Sequence, residues 1–154
     1  MKVQLIRVGK GKEAWADQAC AHYVRRLPTH LGFEEKLIKP ARFSGDVGSV
    51  QTEEATRILA SLADRAKLIA LDERGARVDT KGFAQLVDTA AALGTPRLVF
   101  AIGGPYGHGE AVRERAWKTI RLSDMVLNHA LARVVLVEQL YRVSTLLWGG
   151  SYHH

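Results

Sequence analysis

Leu98-Val99-Phe100-Ala101-Ile102-Gly103-Gly104-Pro105-Tyr106-Gly107-His108-Gly109 runs from an unbroken apolar stretch into a loop with four glycines in seven residues. Five consecutive apolar residues, with Pro96 shortly before and Gly103 directly after, read as a strand buried on both faces. A strand of that kind sits inside a mainly parallel sheet that helices cover on both sides. The glycines beyond it admit positive φ and let a ligand approach the backbone closely. Their density exceeds the needs of a simple turn, so the loop is a candidate ligand site.

The rest of the chain supplies the neighbours such a strand needs. Val3, Leu5, Ile6 and Val8 form a first strand that stops at Gly9 and Gly11. Trp15, Ala19, Tyr23 and Leu27 then recur at intervals of four before Pro28, which predicts a helix starting at Glu13. Residues 33–38 read as a second strand, and a polar stretch over 40–50 with Arg42, Ser44, Gly45, Asp46 and Gly48 as a mobile loop. Thr52 followed by Glu53 and Glu54 predicts the N-terminus of a second helix.

Residues 67–71 form a third strand with 72–75 as its exit loop, and Thr80 begins a helix closed by Gly94. A short helix over 110–117 and a weak strand over 119–122 lead to a last helix over 131–147. Leu131, Val134, Val135, Val137, Leu140, Tyr141, Ser144 and Leu147 wrap most of its circumference. Burial against more than one neighbour, including a second subunit, is therefore expected. The alternation of strands and helices predicts one α/β domain over residues 1–154: a mainly parallel sheet flanked by helices. Ligands of such sheets bind beyond the strand C-terminal ends, which selects the loops after Leu71, Ile102 and Leu122.

Composition narrows the function classes. The chain has 154 residues, 47% hydrophobic and 25% charged, which suits a globular core and excludes disorder. No long apolar run or N-terminal signal pattern occurs, so a cytoplasmic protein with no membrane partner is expected. Cys20 is the single cysteine and reads as a buried structural thiol; no zinc spacing or other metal motif appears. A formal net charge of +6 favours polyanionic partners.

Familiar phosphate motifs fail at the glycine loop. Gly104 and Gly109 have P-loop spacing, but Glu110 stands where lysine would meet the phosphates. Val112 replaces the third glycine of a dinucleotide fingerprint. An uncharged or cationic ligand fits better. A second candidate segment is Arg121, Leu122, Ser123, Asp124, Met125, Val126, Leu127, Asn128 and His129, either a helix cap built on Ser123 or Asn128 or a backbone edge for a purine. A third is the polar set on the last helix, Arg133, Glu138, Gln139, Arg142 and Thr145, with the tail Tyr152, His153 and His154.

Leu71 with Asp72, the runs 102–107 and 122–127 with His129, the string Glu138, Gln139, Leu140, Tyr141 and Arg142, and terminal Tyr152 and His153 together resemble the bacterial large-subunit ribosomal RNA pseudouridine N3-methyltransferases of the SPOUT class. The resemblance covers essentially the whole chain. It implies a deep C-terminal trefoil knot, an exception to the rule that chains do not thread loops. It also implies bent S-adenosylmethionine held by Leu71, Gly103, Leu122, Ser123, Asp124, Met125, Val126 and Leu127.

The family works as a homodimer on 23S rRNA of the assembled ribosome, without a metal, and each site joins the cofactor pocket of one subunit to the tail of the other. On that footing His129, Glu138 and His153 are candidate bases for the imide proton, Arg142 stabilises the imide oxyanion, and Tyr152 with His153 serves the partner's pocket. This chain ends in His154 where many members carry Arg or Lys. The competing readings are a knotted ribosome-binding protein without transfer activity and a tRNA ribose 2′-O-methyltransferase.

Overall fold

A computed structural model describes residues 1–9, 11 and 13–152. Five strands, β1 (Lys2–Val8), β2 (Phe33–Ile38), β3 (Lys67–Arg77), β4 (Arg97–Ile102) and β5 (Lys118–Arg121), form one sheet in the order β2-β1-β4-β3-β5. Every pairing is parallel. The apolar run at 98–102 is thus the central strand, as its continuous hydrophobicity predicts. Leu98, Phe100 and Ile102 join one core cluster while Val99 and Ala101 join the other. That division is the alternation of a strand covered on both faces.

The helices are α1 (Ala14–Val24), α2 (Val47–Ala60), α3 (Thr80–Ala92), α4 (Glu110–Arg115) and α5 (His129–Trp148). Phe83 and Val87 of α3 pack with Leu136, Leu140 and Val143 of α5 on one face, where α1 also lies against α5. Ala55 and Ile58 of α2 pack with Val112 of α4 on the other. Cys20 is buried in α1, and burial pushes its thiol up. No helix among the described residues is long and apolar enough to cross a membrane.

Two local expectations are corrected. The second helix starts six residues earlier than the acidic pair suggests, because the Asp46 carboxylate accepts from the Gly48 and Ser49 amides at 3.3 and 2.9 Å and caps it there. Thr52 therefore lies inside the helix, and Glu54 is buried rather than exposed on the first turn. The third strand also does not end at Leu71. Leu71 and Ala76 both pair with Ile120, so 72–75 is an excursion after which the chain rejoins β5. A backbone and a side-chain bond from Arg74 to Asp72 Oδ1, at 2.9 and 3.0 Å, close it.

Arg133 reads from sequence as decoration on an apolar helix, yet it is buried. Its Nη1 meets Asp17 of α1 at 2.5 Å and its Nη2 meets Glu35 of β2 at 2.8 Å. Burial opposes its charge, but the two carboxylates outweigh that and raise its pKa. This three-way ion group ties α5 to α1 and to the edge strand. Leu131, Leu146 and Trp148 of α5 remain exposed.

Candidate functional site

The 72–75 excursion, the glycine loop and the 121–129 segment converge beyond the C-terminal ends of β3, β4 and β5. Between them lies a cavity of about 380 Å³, within the size range of small-molecule sites. Leu71, Ile102, Leu122, Leu127 and Ala132 supply apolar walls, and Asp72 and Glu73 supply carboxylates. The Gly107 amide donates to Gly104 O at 2.9 Å, and Gly107 takes φ +79, so the loop makes a closed turn. A side chain at Gly104 has no room: its Cβ would stand 2.5 Å from Glu54 Oε2.

The polar floor carries both signs of charge, Asp72 and Glu73 beside Arg74 and Arg121. Burial pushes the Asp72 carboxyl up, but hydrogen bonds from the Arg74 side chain and backbone outweigh it and hold it below its ordinary value. Asp72 is thus an anion at the cavity wall, with Arg113 Nη1 3.7 Å away. Opposite stands His108, 3% exposed, whose Nε2 lies 3.0 Å from Ala101 O. A carbonyl only accepts, so Nε2 carries the proton and Nδ1 is a bare buried acceptor.

Burial drives the His108 pKa below 6.5. The unfolded chain takes up this proton near 6.5 and the folded chain only at lower pH. Between those values the unfolded state holds more protons, so stability falls as pH drops from about 6.5, by at most about 1.4 kcal/mol per pH unit. His108→Leu is expected to flatten that segment of a melting-temperature profile between pH 7.5 and 5.5. An unchanged profile would refute the burial argument.

The expected site residues fall into two groups. Leu71, Gly103, Leu122, Ser123, Met125, Val126, Leu127 and His129 all line the cavity. Asp124 does not; it pairs with Arg77 and Arg121, each at 3.0 Å, on the far side of the segment. Ser123 Oγ accepts from the Met125 amide at 2.9 Å, while Asn128 Oδ1 accepts from the Leu131 amide and caps α5. Of the two capping candidates, Asn128 is the one that starts the helix.

The second group lies elsewhere: neither Glu138, Arg142 nor Tyr152 lines the cavity. Arg142 Nε and Nη2 donate to Glu138 Oε1 at 3.0 and 2.7 Å, and Gln139 Nε2 donates to Glu138 Oε2 at 2.6 Å. Thr80 Oγ1 of α3 donates to Gln139 Oε1 at 2.9 Å and braces the set. The hydrogen bonds it donates to Glu138 raise the Arg142 pKa, so the guanidinium stays charged.

Its carbon Cζ sits 4.7 Å from the centre of the Tyr152 ring, which also packs against Tyr141 and Tyr23. The tail up to Tyr152 is therefore folded onto its own α5, with Thr145 Oγ1 bonded to Tyr152 O at 2.9 Å. His153 lies outside the described residues.

Sequence reasoning selected the loops that hold Arg74 and His108 without giving either side chain a part in the cavity wall, and it missed Arg113 behind Asp72. The forward signals were the position of 72–75 after a strand and the glycine loop around His108. Among the described residues, no group of three or more His, Cys, Asp or Glu could hold a metal ion.

A family model described as "Predicted SPOUT methyltransferase" matches residues 1–153. The chain is 40% identical over 157 residues to ribosomal RNA large subunit methyltransferase H of Cytophaga hutchinsonii, with both chains covered completely. It is 37% identical over 154 residues to the protein of the same name from Trichlorobacter lovleyi, again across all of both chains. The crystal structure of the SpoU methyltransferase AviRb from Streptomyces viridochromogenes with AdoMet aligns at a TM-score of 0.41 and 15% identity, covering 92% of this chain and 59% of that one.

Proposed function

Because this chain belongs to the SPOUT methyltransferase family, among relatives named ribosomal RNA large subunit methyltransferase H, we propose that it methylates N3 of a pseudouridine in 23S ribosomal RNA of the assembled ribosome, using S-adenosylmethionine, in the cytoplasm. The observation that carries this reading is the division of the site. One chain holds a ligand cavity and, apart from it, a braced Glu138–Arg142–Tyr152 cluster that the cavity lacks. A homodimer in which each cluster completes the other subunit's cavity reconciles the two. The exposed Leu131, Leu146 and Trp148 of α5 offer apolar surface for that pairing. A trefoil knot over the C-terminal segments belongs to the same proposal and rests on family membership.

The cavity suits the cofactor. Its apolar walls can take an uncharged purine and ribose, Glu73 can meet the cofactor's amino group, and Arg74 and Arg121 can meet its carboxylate. Leu71, Gly103, Leu122, Ser123, Met125, Val126 and Leu127 would hold it, with Asp124 fixing the 121–127 segment through its two arginines. The bound cofactor supplies an electrophilic methyl group.

The protein's part is to prepare the nucleophile. The imide N3 attacks only after losing its proton, and the resulting charge spreads onto the flanking carbonyl oxygens. His129, at the first turn of α5 and on the cavity wall, would take that proton. Both Glu138 oxygens are already engaged, so Glu138 orients Arg142, whose fixed charge would stabilise the imide oxyanion.

The test is mass mapping of ribosomal RNA from cells with and without the protein, followed by nucleoside analysis. A methyl group on the pseudouridine base that disappears with the protein supports the reading. A missing ribose 2′-O-methyl on tRNA would support the sugar-methylating alternative, and an unchanged RNA the binding-only one.

A further inference from the structure

Tyr106 has a second face that the cofactor site does not use. Its ring stacks on Phe43 from the 39–46 loop, with centroids 5.6 Å apart and planes 24° from parallel. Both rings are open to solvent, Phe43 at 53% and Tyr106 at 42% exposure. The pair is held from behind by α2. Gln51 Nε2 donates to Tyr106 O at 2.7 Å, and one turn further on Glu54 Oε1 accepts from the Ala41 amide at 3.1 Å. The stretch that composition marks as a mobile loop thus has its one aromatic residue docked on the glycine loop. Exposed Lys39 and Arg42 flank it.

Because Tyr106 also lines the cavity, the stack is a continuation of the cavity's rim. Two near-parallel exposed rings beside cationic side chains are the chemistry by which proteins hold unpaired nucleic-acid bases, since every base has a π-face. Any base that receives a methyl group here must first leave its own stack, and its neighbour then lacks a stacking partner. We infer that the Phe43–Tyr106 pair is a platform on which an unpaired base flanking the target nucleotide stacks, with Lys39 and Arg42 meeting the adjoining phosphates. This inference rests on the proposed RNA substrate.

The test uses ribosomes purified from cells lacking this protein, with the protein as wild type, Phe43→Ala, Phe43→Trp and Arg42→Ala. Ribosome affinity is measured across a KCl series beside calorimetry with S-adenosylmethionine, sedimentation and methyl transfer. Phe43→Ala is expected to weaken ribosome binding about tenfold, the scale of one base–aromatic stack. The loss should be equal at every salt concentration, with cofactor affinity and sedimentation unchanged, and Phe43→Trp should restore binding. Arg42→Ala should instead reduce the slope of log affinity against log salt.

Ribosome affinity unaffected by Phe43→Ala would overturn the platform. So would a parallel loss of cofactor affinity, which makes the pair a cofactor wall, or a change in sedimentation, which makes it a subunit contact. Wild-type protein that binds ribosomes without transferring methyl groups removes the proposed activity, while the binding series still decides the platform.

Discussion

Gly75→Ala is expected to destabilise the fold by about 3 kcal/mol, a fall in melting temperature of roughly 6–12 °C for a chain of this size. Gly75 is buried in the excursion where β3 leaves and rejoins β5. A Cβ there would stand 2.5–2.6 Å from the backbone N, Cα and carbonyl carbon of Ile120. Backbone atoms inside a sheet cannot rotate aside as a side-chain tip can, so either β5 moves or the excursion opens. The same residues form the Asp72 and Arg74 side of the cavity, so cofactor affinity should fall with stability. Gly48→Ala in the first turn of α2, where a Cβ meets only Asp46 at 3.6 Å, is the control and should melt at or above the wild-type temperature. Thermal denaturation of the three proteins checks the account, and a wild-type melting curve for Gly75→Ala would contradict it.

Arg142→Ala is expected to lower kcat for methyl transfer by about 10²- to 10³-fold, the usual cost of removing one preorganised oxyanion partner. Two effects act together. The imide oxyanion loses its cation, and Glu138 is left as an uncompensated carboxylate beside the developing negative charge. Cofactor affinity should not change, because Arg142 does not line the cavity. Arg142→Lys should recover only part of the loss, since an ammonium cannot reproduce the fork that holds Glu138 Oε1 through Nε and Nη2. Single-turnover rates with ribosomes, set against calorimetry, separate the terms. A parallel loss of rate and cofactor affinity would place Arg142 in the cofactor site instead.

Which parts of this were legible in the sequence follows from the range of the interactions involved. The central strand at 98–102 and the loop after it could be read because continuous apolar burial and glycine punctuation are local signals. The start of α2 was misplaced although Asp46, Gly48 and Ser49 are also a local cap. Glu53 and Glu54 made a stronger-looking signal for a helix dipole, yet Glu54 turned out to be an anchor for the 39–46 loop. The excursion at 72–75 was invisible, because it is defined by the return of Ala76 to the strand position that Leu71 already occupies opposite Ile120.

Arg133 was misread for the same reason. Its partners Asp17 and Glu35 lie 116 and 98 residues away along the chain. The cavity wall itself was largely found, since the rule that ligands bind beyond strand ends needs only strand order in sequence. Its charges were not, since the Asp72–Arg74 bond depends on the excursion.

The central claim is that the cavity of one subunit works with the Glu138–Arg142–Tyr152 cluster of another. It is tested most directly by mixing two proteins expected to be inactive: Gly103→Val, whose Cβ would press on the Gly107 and His108 backbone at 3.1 Å and distort the cavity's glycine loop, and Arg142→Ala, whose cavity is intact. In a mixed dimer one site joins the two defects and the other is free of both. Random pairing of equal amounts should therefore restore roughly one quarter of wild-type methyl transfer. Mixed dimers that form, as shown by two affinity tags, yet transfer no more than either parent would place the whole site within a single chain.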